Sequence, residues 1–295
     1  MAVGAAPAGI CRLARFGLTT TNAVRLAAFY ERACGFHRLA TERLSGAKFE
    51  SLMGVAGGAL SIKLGVGNEV IELVEFNRPG RPYPQESSAA DIIFQHFAIV
   101  VANIDEAYQR LSAVAGWSPI SNGGPQRLPA TSGGVTAFKF RDLDGHPLEL
   151  LAFATGRAPP CWVGGSGSEV YLGIDHSAIS VSDSSRSISF YEGLGLRIAA
   201  RSRNSGPEQE RLDGISEPRL EVIALAPREA TPHIELLCYQ WAEHRRVLSL
   251  SSNDIAASRL VLEASRDPAT TESIDAYPLL DPDGHHLLIV PAAKY

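Results

Sequence analysis

The chain has 295 residues, a net charge of −5 and a sequence pI near 5.9, with 45% hydrophobic and 20% charged residues. This composition is ordinary for a water-soluble globular protein, and the length suits two domains of average size. Neither a Lys/Arg-rich run nor an apolar run of about 20 residues occurs, so nucleic acid and membrane are not expected partners.

The N-terminal stretch is rich in Ala and Gly and lacks the basic segment and apolar core of a signal peptide. The four cysteines, Cys11, Cys34, Cys161 and Cys238, are scattered along the chain and form no CxxC pair. We therefore expect a cytoplasmic protein with reduced thiols and without a thiolate metal site.

Three segments begin in the same way, with a strand followed by a helix. Arg15 opens RFGLTTTNAVRLAAFYERACGF, His96 opens HFAIVVANIDEAYQRLSAVAGW, and His176 opens HSAISVSDSSRSISFYEGLGL. The first and third segments carry a Phe-Tyr pair at the same interval, and a glycine that would end the helix follows in each segment. The repetition predicts a fold built from repeated units.

Each unit closes on a strand with a carboxylate at its centre. These strands read VIELVEF, PLELLAF and HIELLCY, and they carry Glu72, Glu149 and Glu235. Because side chains alternate across a strand, Glu149 shares its face with Leu151 and Glu235 shares its face with Leu237, whereas Glu72 has Glu69 and Glu75 nearby in its strand. An ionised group in such a place needs an ion pair or a metal.

A shorter fourth unit starts near Arg259, with its helix or a middle strand lost. It is indicated by the turn DPDG at 281–284, which repeats the turn DLDG at 142–145 before a closing strand. His285 and His286 follow this turn and are expected to be exposed. The Pro- and Gly-rich segment 154–169 is the main boundary.

Two domains are predicted on either side of this boundary. The first spans 12–155, with units 12–76 and 90–155. The second spans 170–295, with units 170–240 and 254–295.

The His-headed first strand, the Phe-Tyr helix ending in glycine and the closing hairpin DxDGHPLELL resemble the vicinal oxygen chelate superfamily. This superfamily includes glyoxalase I, extradiol dioxygenases, methylmalonyl-CoA epimerase and bleomycin-resistance proteins. The resemblance covers nearly the whole chain. It implies an α+β fold of four βαβββ units, the last one degraded, paired into two cupped mixed-sheet barrels.

In that superfamily the metal ligands come from the head of the first strand and the middle of the last strand of each unit. The matching positions here are Arg15 and Glu72, His96 and Glu149, His176 and Glu235, and Arg259 and Leu288. Pairing unit two with unit three would complete one metal set, namely His96, Glu149, His176 and Glu235, and would leave a degenerate outer cup. We favour this arrangement over sequential pairing, which would instead gather Glu72, His96 and Glu149.

Two imidazoles and two carboxylates suit a divalent Zn, Ni, Co, Mn or Fe ion. The resemblance therefore implies a metal-dependent lyase or isomerase, in which Glu149 or Glu235 is the catalytic base and the ion chelates two adjacent oxygens of a small-molecule substrate. One alternative is an Fe(II)-dependent extradiol ring-cleaving dioxygenase. Another is a metal-free small-molecule binding or resistance protein. No nucleotide or other organic cofactor motif is present, and a homodimer is compatible with the sequence.

Overall fold

Two open, cupped sheets make up the fold, which is α+β as expected. The structure is a computed structural model, and it describes residues 9–163, 169–229, 231–240, 246–265 and 275–292. The predicted loss of the helix or of a middle strand in the fourth unit concerns a segment that lies largely outside these ranges.

The elements follow the repeated order expected from the sequence. Unit one contains β1 (Ile10–Thr19), α1 (Ala23–Ala33), β2 (His37–Leu44), α2 (Ala47–Met53), β3 (Ala59–Val66) and β4 (Glu69–Phe76). Unit two contains β5 (Gln95–Val101), α3 (Ile104–Ser112), β6 (Ser118–Pro119), β7 (Gln126–Arg127), a 3-10 turn (Ala130–Ser132), β8 (Thr136–Arg141) and β9 (Pro147–Ala152).

The second half of the chain repeats the pattern after a 3-10 turn at Pro160–Trp162. Unit three contains β10 (Tyr171–Ser180), α4 (Ser184–Gly193), β11 (Arg197–Asn204), α5 (Pro207–Asp213), β12 (Arg219–Ala226) and β13 (His233–Gln240). Unit four contributes β14 (Arg259–Ala264), β15 (Tyr277–Leu280) and β16 (His286–Pro291).

The sheets join units that are not all neighbours in the sequence. One sheet has the order β15-β16-β14-β1-β4-β3-β2, so it combines units one and four. The other has the order β11-β12-β13-β10-β5-β9-β8-β6 and combines units two and three. This is the pairing that we favoured, and it excludes the sequential one. The division into domains at 12–155 and 170–295 remains a prediction.

The helix that follows the first strand of units one to three starts on a short polar side chain. Asn22, Asn103 and Asp183 each accept a hydrogen bond from a backbone N–H in the first turn of α1, α3 and α4. Such caps satisfy donors that a helix start leaves without partners. The repeat is therefore encoded at the helix starts as well as in the strands.

The Phe-Tyr and DxDGH motifs bind one another across successive units. Tyr30 of α1 donates a hydrogen bond of 2.8 Å to Asp142, and the ring of His146 lies 2.8 Å from the same carboxylate. The other ring nitrogen of His146 lies 2.9 Å from the backbone oxygen of Thr19. All of these groups are buried, so the motif fastens unit two to unit one.

An equivalent contact fastens unit four to unit three. Tyr191 donates to Asp281 at 3.1 Å, and a ring nitrogen of His285 lies 2.9 Å from the backbone oxygen of Ser180. The expectation that His285 is exposed was wrong, because this contact buries its ring. The expectation was also wrong for His286, which is only partly exposed. We call these two sets of contacts the Tyr-Asp-His locks.

The two sheets share one apolar core. Phe97 on β5 contacts both Phe16 on β1 and Tyr30 on α1, with ring centroids 5.6 and 6.3 Å apart. Burial of aromatic side chains of this size is a large part of core stability. No helix in the described ranges is both long and apolar enough to cross a membrane.

Candidate metal centre

The four predicted ligands lie on the four central strands of the sheet formed by units two and three. β5 and β10 are antiparallel, with His96 opposite Ala178 and His176 opposite Ala98. β9 runs parallel to β5 and β13 runs parallel to β10, which places Glu149 beside Ala98 and Glu235 beside Ala178. The cup is thus a pseudo-symmetric pair of His-Glu sets.

Three of these side chains form a compact donor group. His96, Glu149 and His176 each offer a ligand atom, and these atoms lie within 4.8 Å of one another. His96 Nε2 is 3.0 Å from Glu149 Oε2. A divalent ion bound at about 2.0–2.2 Å needs donors spaced in this way. Glu235 stands farther out, with its Oε2 3.6 Å from His176 Nε2.

His96 is buried, and neither of its ring nitrogens has a hydrogen-bond partner among the described residues. Its contact with Glu149 is short but not aligned as an N–H···O hydrogen bond. Burial lowers the pKa of His96, and Lys139 and His176 add to this effect against the opposing pull of Glu149. A neutral, buried imidazole without partners costs free energy unless it binds something. The donor set therefore fits a divalent metal ion.

The ring of His176 is oriented by Asp175, which is itself held by Trp162. Asp175 lies 3.1 Å from its Nδ1, and the indole N–H of Trp162 donates to the same carboxylate at 3.1 Å. Burial works against protonation, but Glu235 and Asp175 outweigh it and raise the pKa of His176 to about 9. A carboxylate on the far nitrogen of a ligating histidine orients the ring.

Glu235 has two imidazole neighbours. His233 Nε2 lies 3.6 Å from Glu235 Oε1, and His176 lies 3.6 Å from the other oxygen. Burial would raise the pKa of Glu235, yet His176 and His233 outweigh it and lower the pKa to about 2. The sequence did not single out Asp175 or His233, although with His176 they form a second group of donor atoms within 4.8 Å.

A buried lysine completes this wall of the cup. Lys139 on β8 is the cross-strand neighbour of Glu149, and its Nζ lies 3.9 Å from Glu149 Oε2 and 2.6 Å from Asp213 Oδ1. Asp213 also accepts hydrogen bonds from Gln209 and Tyr239. Burial opposes protonation of Lys139, but Asp213 and Glu149 outweigh it and raise the pKa. Burial would also raise the pKa of Glu149, but His96 and Lys139 outweigh burial and lower that pKa.

Lys139 was missed at the sequence level, although the repeat contains a signal for it. Lys63 lies opposite Glu72 in unit one, as Lys139 lies opposite Glu149 in unit two. The charge environment of Lys139, however, depends on Asp213 at the end of α5, in another unit.

The donor group opens into a cavity of about 370 Å³. His96, Glu149, His176, Glu235 and Lys139 all line it. The rest of the wall combines apolar side chains, including Leu128, Leu151, Phe153, Leu212, Leu220 and Val222, with polar ones that include Arg201, Asn204 and Gln209. A polar end and partly apolar sides suit a small organic molecule.

The outer cup, between units one and four, is closed by its own side chains. Arg15 donates to Glu72 at 2.7 Å, and Ser61 donates to the other oxygen of Glu72 at 2.7 Å. Arg259 is buried and donates to the backbone oxygen of Ser252. Burial lowers the pKa of Arg259 to about 10. Leu288 holds the fourth position and is buried, so this cup offers one carboxylate already paired with an arginine.

His286 beside the outer cup makes stability depend on pH. Burial, with Arg259 adding to it, lowers its pKa to about 4, while a histidine in the unfolded chain has a pKa near 6.5. As the pH falls from about 6.5 to about 4, the unfolded chain binds a proton that the folded protein does not. Stability therefore decreases over this range, by an amount on the order of 2 kcal/mol at pH 4.5 from this group.

We expect His286→Gln to reduce that loss, because glutamine does not titrate. Urea unfolding at pH 7 and pH 4.5 measures it for both proteins. An equal loss of unfolding free energy in wild type and variant would contradict the assignment.

Comparison with known proteins agrees with this architecture. The family model of the Glyoxalase/Bleomycin resistance protein/Dioxygenase superfamily matches residues 12–150 and 173–289. The chain therefore belongs to this superfamily, and the resemblance seen in its sequence motifs is confirmed. No curated protein matches the sequence.

Solved structures share the fold at low sequence identity. Glyoxalase I from Zea mays is 18% identical, with a TM-score of 0.57, and the match covers 95% of this chain and 92% of that one. A structure titled putative dioxygenase from Bacillus subtilis is 10% identical, with a TM-score of 0.54, and the match covers 97% and 85%. These likenesses establish the tandem arrangement of units and leave the chemistry to the residues of the cup.

Proposed function

We propose that the central cup binds a divalent metal ion and that the protein is a metal-dependent enzyme acting on a small molecule with two adjacent oxygens. The observation that carries this proposal is the state of His96. Its buried ring has no hydrogen-bond partner among the described residues. Its Nε2 lies 3.0 Å from Glu149 Oε2, so one metal ion could bind both atoms. Nitrogen and oxygen donors of this kind suit Zn, Ni, Co, Mn or Fe.

His96, Glu149 and His176 would hold the ion, and Glu235 is the fourth proposed ligand. A divalent ion bound there supplies a Lewis acid for the two substrate oxygens. Asp175 keeps the ring of His176 oriented through its Nδ1, so that Nε2 faces the cup. His176 has to be deprotonated at Nε2 to ligate. That deprotonation removes one positive charge that lowers the pKa of Glu235, but the bound ion would bring a larger one to the same site, so Glu235 would stay ionised in the metal-loaded protein.

Between the two candidate bases, Glu235 is better placed than Glu149 to take a proton from the substrate. The side chain of Glu235 is 22% exposed, and that of Glu149 is 8% exposed. Glu149 is restrained by His96 and Lys139, whereas Glu235 has only imidazole neighbours within 4.0 Å among the charged groups described. We assign the general-base role of a lyase or isomerase to Glu235, which would have to leave the ion in order to take the proton, and we assign to Glu149 the role of a ligand that stays in place.

Proton abstraction can be tested without knowing the natural substrate. Hydroxyacetone has two adjacent oxygens and an acidic C–H between them, and its exchange in D2O is followed by NMR. We expect the metal-loaded protein to accelerate the exchange and Glu235→Gln to lose roughly 10²- to 10⁴-fold of this activity. Glu72→Gln, the same change in the outer cup, should exchange like wild type. Equal exchange by Glu235→Gln and wild type would refute the base assignment.

A second function has one observation in its favour. The compact donor group contains two histidines and one carboxylate, the set that Fe(II) oxygenases use with open positions for O2 and substrate. Fe(II)-dependent conversion of a catechol under air into a coloured ring-cleaved product would support an extradiol dioxygenase. A protein that takes up no metal would instead support the metal-free binding role.

We also propose that the protein is located in the cytoplasm. Cys11, Cys34, Cys161 and Cys238 are free thiols in the structure, which suits the reducing cytoplasm. The proposed partner is a small-molecule substrate, and a homodimer remains a proposal that sedimentation can test.

A further inference from the structure

Lys139 has hydrogen-bonding capacity that the fold does not use. A lysine ammonium has three N–H donors, and among the described residues its one hydrogen bond goes to Asp213 Oδ1, at 2.6 Å. Glu149 Oε2 is 3.9 Å away, which is too far for a hydrogen bond. The side chain is only 4% exposed, yet it lines the cavity. A buried charged donor with free N–H groups favours an anionic acceptor.

The cup is asymmetric at this position. Lys139 lies opposite Glu149, and the equivalent position opposite Glu235 is Ala224. Both residues line the cavity. The alanine methyl leaves space beside Glu235 that the lysine side chain fills beside Glu149. A ligand lying on the Ala224 side would therefore have the ammonium across from it.

We propose that Lys139 binds a carboxylate of the ligand, which makes the ligand a 2-oxo or 2-hydroxy acid with an apolar body. The inference rests on the proposed function, because the metal would bind the two adjacent oxygens. The acid group would take the free N–H donors of Lys139, and the body would contact the apolar wall formed by Leu128, Leu151, Phe153, Leu220 and Val222. Lys139 is then a specificity-determining residue.

Benzoylformate and its methyl ester are a matched pair of probes. Both have two adjacent oxygens and a phenyl ring, only the first has a negative charge, and neither has an α-proton to be abstracted. Binding is measured on Co²⁺-loaded protein by visible absorption and calorimetry. We expect Lys139→Met to bind benzoylformate about tenfold or more weakly than wild type, and the ester within about twofold of wild type.

Two further variants guard against a structural explanation. Lys139→Met leaves Asp213 without its cation, so the double variant with Asp213→Asn is measured as well and should show the same selectivity. Lys63→Met, which changes the equivalent lysine in the outer cup, should bind both probes like wild type. Co²⁺ affinity should be unchanged or higher in Lys139→Met, because a positive charge 3.9 Å from a ligand carboxylate is removed.

The possible results separate the two proposals. Equal weakening of acid and ester, or none, or binding of neither probe to wild type, overturns the role of Lys139 while leaving metal binding intact. If wild type takes up no Co²⁺, the proposed function fails. The role of Lys139 is then tested on the metal-free protein. Wild type should bind benzoylformate more tightly than its methyl ester, and Lys139→Met should lose this preference.

Discussion

Replacing His96 with alanine is expected to abolish metal binding and to leave the fold intact. His96 supplies one of the three clustered donors, so its loss should cost more than the 10- to 100-fold in affinity that loss of an outer-shell partner costs. The ring has no aligned hydrogen bond to lose among the described residues, and Glu149, which loses its contact with His96, keeps Lys139 at 3.9 Å, so the fold should tolerate the change.

Elemental analysis and thermal unfolding measure this result. A metal at a hundredfold excess over its Kd stabilises a folded protein by about 2.7 kcal/mol, and the variant should show none of this gain. Arg15→Ala is the matched control, because Arg15 stands at the head of unit one as His96 stands at the head of unit two. Full metal retention in His96→Ala would contradict the proposed centre.

Removing Asp213 is expected to have the largest effect on stability. Asp213→Ala leaves the ammonium of Lys139 buried without its closest carboxylate, which lies 2.6 Å away. Breaking a buried ion pair in this way costs roughly 3–5 kcal/mol. Urea unfolding of the metal-free protein at pH 7 measures the change in unfolding free energy.

The internal repeat again offers the control. Glu42 pairs with Lys63 at 3.5 Å, and the two side chains are 51% and 29% exposed. Glu42→Ala should therefore cost about 1 kcal/mol or less. Adding Lys139→Met to Asp213→Ala should recover much of the loss, because the unpaired charge is gone. A small effect of Asp213→Ala alone would show that the pair is solvated.

The parts of the site that could be predicted are those set by strand alternation and by the repeat. His96 and His176 were placed by the heads of two units, and Glu149 and Glu235 by the closing strands. The pairing of units two and three could be predicted because it gathers all four side chains into one complete donor set.

The parts that could not be predicted depend on irregular geometry or on distant partners. Asp175 and His176 are adjacent on β10 and should face opposite ways, yet both line the cavity. The register of β10 against β5 shifts between Ile174 and His176, and such an irregularity re-aims side chains. Lys139 belongs with Asp213, which lies 74 positions away along the chain. His285 looked like a surface residue because its partner, the backbone oxygen of Ser180, belongs to another unit.

The Tyr-Asp-His locks and the sheets connect different pairs of units. The locks join unit one to two and unit three to four, whereas the sheets join one to four and two to three. Every unit is therefore tied to a partner in its own half of the chain and to a second one in the other half. A ribosome delivers His96 and Glu149 before His176 and Glu235. The nascent first half can fasten its lock early, but it holds only two of the four donors, and the set is completed first by β10 and then by β13.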